Sequence, residues 1–289
     1  MALVNLAELL GAAQEGAYAV GAFDVVNAEY AMAITGAAEQ EKSPLVLMVL
    51  EGYQRYFDME LLIPSLCRLA ERSSVPVAVH LDHATTWETV ARAVKAGCTS
   101  IMLDRSADPY EENVAQTREV TRLCRPLNVS VESEIGSVKG SEAIGSATLA
   151  HSEADPRYFT QIEEAERFAR ETEVDALAVS VGNTHGWYKG KPELDLERIE
   201  AIAERTGIPL VLHGGSGLSD QDFRNAIERG MRKVNINTSL IAAAGERVAS
   251  LLEQDPESFN YPELLLSAHQ AVAAEARRLM NVFGCAGKA

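Results

Sequence analysis

Eight short apolar runs, each followed by a polar turn and an amphipathic stretch, recur along the chain and set the terms for its fold. They span residues 18–23, 45–49, 77–81, 100–103, 129–135, 176–181, 210–212 and 233–236. The runs are continuous rather than alternating, as in strands buried on both faces, so they imply a parallel sheet covered by helices. Such an alternation closes into a (β/α)₈ barrel or spreads into a doubly wound open sheet. The helical stretches carry their own punctuation. Thr160 and Glu163 stand at capping-box spacing, with Ile162, Ala165, Phe168 and Ala169 on one face of the helix that follows. Ser219 and Asp222 open another helix, with Phe223 and Ile227 on its buried side and Gly230 as its stop. Pro262 opens a final long helix that Gly284 ends.

No low-complexity tract, charge block or Pro/Gly/Ser-rich linker divides the 289 residues, and 47% of them are apolar. That supports one large core, and a single domain over 1–289 is expected. Acidic residues outnumber basic ones 42 to 26, a formal net charge of −16. A field of that sign repels nucleic acid and anionic membranes, so neither is expected as a partner. An anionic substrate requires a locally positive site. Cys67, Cys98, Cys124 and Cys285 show no C-x-x-C spacing and read as reduced thiols. Residues 1–14 lack the basic-then-apolar order of a signal peptide, and no apolar run reaches bilayer-spanning length. A soluble, cytoplasmic protein is expected.

The run ends decide between barrel and open sheet. The third ends in His80-Leu81-Asp82-His83, the fourth in Asp104, the fifth in Glu132-Ser133-Glu134 and the seventh in His213, while His185 lies just past the sixth. A barrel gathers all such ends on one rim, where barrel enzymes keep their active sites. An open sheet gathers them only near its switch point. Taken singly, an Asp-His pair after a strand is usually turn chemistry or a helix cap, and His185 and His213 read as loop residues. Three of the six histidines at three different strand ends make a stronger pattern; His80, His151 and His269 lie elsewhere. Three imidazoles with one or two carboxylates suit zinc and leave a position for substrate, although cobalt, manganese or iron would also accept these ligand types. Glu132 and Glu134 share a strand face, so Glu134, nearer the rim, is the better ligand and Glu132 reads as a polar core residue. Asp82 and His83 point different ways, one free for metal and the other for protons.

A second constellation comprises His185-Gly186-Trp187-Tyr188-Lys189, His213-Gly214-Gly215-Ser216-Gly217 and Asn235-Ile236-Asn237-Thr238. Glycines let backbone amides approach an anion, and barrel phosphate sites use the loops after strands seven and eight. Tight turns between strand and helix explain the same glycines equally well.

With these motifs assembled, the chain resembles the class II fructose-bisphosphate aldolases and their ketose-bisphosphate relatives. The resemblance runs from Gly21-Ala22-Phe23 to Asn235-Ile236-Asn237-Thr238, through His-Leu-Asp-His-Ala, Val-Glu-Ser-Glu-Ile-Gly, His-Gly-Trp-Tyr-Lys and Leu-His-Gly-Gly-Ser-Gly-Leu. It implies a TIM barrel of the α/β class in which His83, His185 and His213 hold catalytic zinc. Asp104 and Glu134 would belong to a second or alternative metal position, for another divalent or a monovalent cation. Asp82 would be the acid/base at the hydroxyl of the released carbon, and Glu142 would transfer a proton at the enediolate. Gly186, Lys189, Gly214, Gly215, Ser216, Asn235, Ile236, Asn237 and Thr238 would hold the phosphate end of dihydroxyacetone phosphate. A homodimer or larger homo-oligomer is implied. Zinc would stabilise the enediolate as a Lewis acid in place of a lysine Schiff base. Lys95, mid-helix, and Lys233, at the start of its run, are poor candidates for such a lysine.

The chain departs from the family where the aldehyde half of the substrate would lie. Leu50 replaces a substrate-binding serine, Asp24 an asparagine, Ile241 an arginine for the distal phosphate and Asn237 an aspartate. Lys139 and Ala143 interrupt the usual loop motif. The expected substrate is therefore a phosphorylated ketose whose distal group is a carboxylate, sulfonate or hydroxyl, with Arg105 and Lys139 as cations that serve it or as solvated surface charges. Three alternatives stay open: a standard fructose- or tagatose-bisphosphate aldolase, a metal-dependent sugar-phosphate isomerase or epimerase, and a non-catalytic barrel subunit.

Overall fold

In the computed structural model, which describes residues 2–140, 151–255 and 260–289, eight parallel strands close into a barrel. They are β1 (Val20–Asp24), β2 (Leu45–Leu50), β3 (Val77–Ala84), β4 (Ser100–Leu103), β5 (Ser130–Ile135), β6 (Ala176–Val179), β7 (Leu210–Leu212) and β8 (Met231–Ile236). Each pairs with its sequence neighbours, and β8 closes on β1 with Val20 opposite Lys233 and Phe23 opposite Ile236. The strand backbones are almost entirely buried, which Val, Leu, Ile and Ala tolerate without unpaired polar atoms. All eight expected strands are present.

Ten α-helices stand among the described residues: α1 (Leu6–Gly16), α2 (Ala28–Glu41), α3 (Met59–Arg72), α4 (Trp87–Ala96), α5 (Tyr110–Cys124), α6 (Ile162–Thr172), α7 (Leu196–Thr206), α8 (Asp220–Glu228), α9 (Thr238–Gln254) and α10 (Tyr261–Val282). α1 touches β1, β3, β5 and β8 and donates from Ala7 N to Ser130 Oγ (3.0 Å), which plugs the N-terminal mouth of the barrel. The site is therefore confined to the opposite rim. A short pair, His151–Ser152 with Trp187–Tyr188, lies outside the barrel. No helix among the described residues is long and apolar enough to cross a membrane.

The Ser219–Asp222 capping box forms, with Phe223 and Ile227 buried as expected. Pro262 sits in the first turn of α10, and Gly284 follows its end at φ +73°. Three expectations need correction. β3 runs on to Ala84, and β8 begins two residues early, so Lys233 is not at a strand start. It is completely buried and reaches Glu132 of β5 across the barrel. Nor does Thr160 cap α6, which starts from Gln161 without a side-chain cap. Its hydroxyl donates to Ile135 O (2.5 Å) and accepts from Ser180 N (2.8 Å), tying β5 to the residue that follows β6. A buried amide outcompeted the helix end for that oxygen.

Thr160→Val would therefore strand a buried N–H and cost about 2 kcal/mol, whereas Glu163→Ala should stay within about 0.5 kcal/mol. Urea midpoints of the two variants check this; comparable losses in both would restore the capping box.

Candidate active site

The site begins with a distortion in β3. Between Leu81 and Ala84 its register against β4 shifts, and His83 adopts φ +50°, a left-handed conformation that L-residues with bulky side chains avoid. The kink leaves Asp82 wholly buried and turns His83 to Asp104, whose Oδ2 lies 2.8 Å from His83 Nδ1. Asp104 is itself fixed by Ser106, through its amide (3.0 Å) and hydroxyl (2.7 Å). Burial alone would raise the Asp104 pKa, but His83 and Ser106 outweigh it and hold the carboxyl well below its usual range. With the proton on Nδ1 facing this carboxylate, His83 presents Nε2 as a lone pair.

His213 follows β7 directly and is completely buried. Its Nε2 lies 3.1 Å from Glu132 Oε1, and its Nδ1 lies 3.1 Å from Glu134 Oε2, so two glutamates of one strand face bracket one imidazole. Burial opposes its charged form, but the two carboxylates prevail and push its pKa up to about 9. Burial likewise disfavours the Glu132 anion, yet Lys233 and His213 hold that carboxyl far below its ordinary value. His185 is buried, and desolvation with the nearby His83 and His213 drives its pKa down to about 3. The ring centroids of His83 lie 5.2 Å from His185 and 4.7 Å from His213. One ring nitrogen from each of the three falls within 4.8 Å of the others, and His83, Asp104 and Glu134 form a second such group.

Beneath the histidines, Asp82 Oδ1 accepts from Asn235 Nδ2 (3.3 Å), and His80 Nε2 lies 3.8 Å from the same oxygen. His80 Nδ1 is held by Ser100 Oγ (2.8 Å). Burial first, then Lys233, bring the His80 pKa down to about 4. A cleft of about 400 Å³ opens over the group, lined by Leu50, His83, Asp104, Glu134, Gly140 and His185. Beside it the loop after β7 turns at Gly214 (φ +62°), where any side chain would drive into the Thr184 carbonyl. Gly215 is nearly as tight, with Asn235 O 3.0 Å from the place of a Cβ, and Gly186 is also at positive φ (+80°). Ser216 Oγ accepts from Ser239 N (3.1 Å), which joins this loop to the first turn of α9, where Thr238 is buried.

These features belong to a known family. Residues 4–288 match the model of the family described as fructose-bisphosphate aldolase class-II. The chain is a member of the class II aldolase family. It is 40% identical to the fructose-bisphosphate aldolase of Geobacillus stearothermophilus, across 100% of this chain and 99% of the relative. It is 39% identical to the 6-phospho-5-dehydro-2-deoxy-D-gluconate aldolase of Halalkalibacterium halodurans, over the same shares. Among solved structures, the YdjI aldolase from Escherichia coli K12 superposes with a TM-score of 0.87 at 31% identity, over 99% of each chain. The protein is therefore a lyase of a metal-dependent class. Its donor set fits such a metal: three imidazoles converge, and two of them have their far nitrogens held by carboxylates.

Not every residue singled out in this aldolase's sequence converges. Lys189 is exposed and contributes its amide to Ser152 O (2.8 Å). The Asn235 side chain points into the barrel, between Lys233 Nζ (2.8 Å) and Asp82, and Ile236 is core. Asn237 bonds Tyr53 OH (3.0 Å). Of the distal candidates, Asp24 is buried at the end of β1, and Leu50 lines the cleft. Ile241 lines a different, apolar cavity of about 440 Å³ with Tyr30, Tyr53 and His269. Arg105 is bound to Asp108 (Nε–Oδ2 2.6 Å) and to Thr85 O (2.8 Å). Lys139 Nζ lies 3.3 Å over the Tyr158 ring. Glu142 and Ala143 lie outside the described residues. What the sequence reading missed is the part played by His80 and Lys233; the signal was there, since Lys233 and Asn235 share a face by the period of two.

Two outcomes follow for the metal-free and metal-loaded protein. Asp104→Asn removes the charge behind His83 and should weaken divalent-metal binding roughly 10–100-fold, read by competition with a chelating dye. For His80 the folded pKa lies below the unfolded 6.5, so the unfolded chain binds more protons between these values and stability falls as pH drops from about 6.5 toward 4. By pH 5 the loss should reach about 2 kcal/mol, and His80→Gln should remove that part of the pH dependence in urea titrations of the metal-free protein.

Proposed function

We propose that this chain is a zinc-dependent aldolase that reversibly cleaves a phosphorylated ketose to dihydroxyacetone phosphate and an aldehyde whose far end lacks the ordinary phosphate. The observation that carries this reading is the meeting of His83, His185 and His213 within 4.8 Å, beside the buried carboxylate of Asp82. In it the three histidines hold zinc, and Asp104 and Glu134 serve a second cation or steady the first. When bound, zinc supplies a Lewis acid that polarises the ketose carbonyl.

The chain's own groups do the rest. Asp82 takes the proton of the hydroxyl on the carbon that leaves as aldehyde and returns it in the reverse direction. Asn235, bonded to Asp82 Oδ1, fixes that carboxylate's orientation. Glu142 is assigned the proton exchanged on the triose half. Gly186, Gly214, Gly215, Ser216 and the start of α9 at Thr238 hold the phosphate, where close amides and the helix dipole favour an anion. Lys189 is assigned the same phosphate, which it meets from the exposed edge. Leu50 in the cleft, and the engagement of Arg105 and Lys139 by other partners, support a distal end without a second phosphate. The relative named for a phosphorylated dehydrodeoxygluconate supports a carboxylate as that distal group. The family resemblance extends the proposal to a cytoplasmic homodimer or larger assembly.

A coupled assay for dihydroxyacetone phosphate over a panel of ketose phosphates, with and without chelator, tests the reaction. Chelator-sensitive triose release is expected, strongest on a ketose 1-phosphate ending in hydroxyl or carboxylate. Asp82→Asn should keep its metal and lose at least about 100-fold in kcat. Interconversion of ketoses without triose release would replace the aldolase with an isomerase or epimerase. Equal activity of the Asp82 variant would remove Asp82 from the chemistry.

A further inference from the structure

We infer that Lys233 is the positioning residue that holds the metal-ligand side and the proton-transfer side of the site in one geometry. The inference rests on the ligand and acid/base assignments above. Lys233 is completely buried. Its ammonium lies 2.9 and 3.1 Å from the two oxygens of Glu132 and 2.8 Å from Asn235 Oδ1, an ion pair to the carboxylate with hydrogen bonds to Glu132 Oε1 and Asn235 Oδ1. Each acceptor leads on to one half of the site. Glu132 Oε1 meets His213 Nε2 at 3.1 Å, which directs the other ring nitrogen, Nδ1, toward Glu134 and the rim. Asn235, its carbonyl taken by Lys233, must turn its amide nitrogen to Asp82 Oδ1 at 3.3 Å. One cation thus sets the ring orientation of a histidine from β7 and the amide orientation beneath a carboxylate from β3.

Nothing else among the described contacts joins these two branches as directly. His80 approaches both, but its Nε2 stays 3.8 Å from Asp82 and 3.9 Å from Glu132, beyond hydrogen-bond reach. A buried ammonium carries a desolvation penalty that an apolar side chain of similar length would avoid. Around it the interior is polar, with His80, Asp82, Glu132 and Asn235 buried beside it, and among the described contacts Lys233 alone bonds both Glu132 and Asn235. It does not touch the substrate cleft, so its role is exerted through Glu132 and Asn235.

The test is Lys233→Met beside Lys233→Arg, with Lys233→Met/Glu132→Gln as the charge-neutral variant should the first not fold. In folded protein, Lys233→Met or the double variant should bind zinc at least about tenfold more weakly and lose kcat with KM little changed. Lys233→Arg should recover part of both. A folded Met or double variant whose zinc affinity and kcat stay within twofold of wild type, however much its Tm falls, overturns the inference and leaves Lys233 a core residue. Zinc affinity is read without turnover, so a wild-type protein that binds zinc but cleaves no ketose overturns only the proposed reaction. A wild type that binds no zinc overturns both.

Discussion

The parallel pairing of β1 with β8 turns a row of eight strands into a ring, and the chemistry depends on that closure. In an open sheet β5 and β8 would stand three strands apart, and a lysine on one could not reach a glutamate on the other. Closure makes them opposite walls of one narrow interior, where Lys233 meets Glu132 and His213 meets both glutamates. It also brings the kinked end of β3 and the loop after β6 to the same rim, so that three histidines separated by up to 130 residues of chain become neighbours. With α1 packed at the other mouth, the interior polar groups open toward this rim, where the cleft over His83 and His185 lies.

Charge inside the ring is unbalanced. Asp24, Asp82, Glu132 and Glu134 contribute four buried carboxylates among the described residues, and Lys233 a single ammonium. A cation is needed at the rim to offset the remainder, because unpaired charges in a medium of low dielectric are costly. In the metal-free protein His213 can take a proton, as its elevated pKa reflects. A divalent ion held by His83, His185 and His213 would supply the same neutralisation, and His213 would then be neutral, since a ligating imidazole carries no extra proton. The left-handed backbone at His83 belongs to this arrangement: its strain is held by the bond to Asp104, and the bond in turn points Nε2 toward the other two histidines.

Local pattern carried much of this into the sequence. Short continuous apolar runs announce strands, and Ser219-x-x-Asp222 announces a helix start, because both are decided by neighbours within a few residues. The convergence of His83, His185 and His213 was legible once the barrel was assumed, since strand ends of a barrel share a rim. What escaped is what depends on partners far along the chain. Thr160 has the right spacing for a cap, but a buried amide from Ser180 claims its oxygen. Lys233 looks peripheral until β8 is seen to begin at Met231 and its ammonium to cross the barrel. Asn235 sits within a phosphate-like motif, yet its side chain is drawn inward by Lys233. The partners of Arg105 and Lys139, Asp108 and Tyr158, likewise do not show in the sequence pattern.

A chain with a net charge of −16 that acts on a phosphorylated sugar has to make its positive potential locally. Screening confines surface charge to about 8 Å at physiological ionic strength, so the distant acidic surface weakens binding less than the formal total suggests. Arg105 and Lys139 are engaged by Asp108 and Tyr158, which leaves the amides around Gly214–Ser216, the first turn of α9, the exposed Lys189 and any ion the histidines would hold as sources of attraction. Backbone amides and a helix dipole hold one phosphate well but offer no second centre of the same strength. With Arg105 and Lys139 engaged, that economy of cations supports the proposed substrate, phosphorylated at one end, and would give a bound metal a share in binding as well as in bond cleavage.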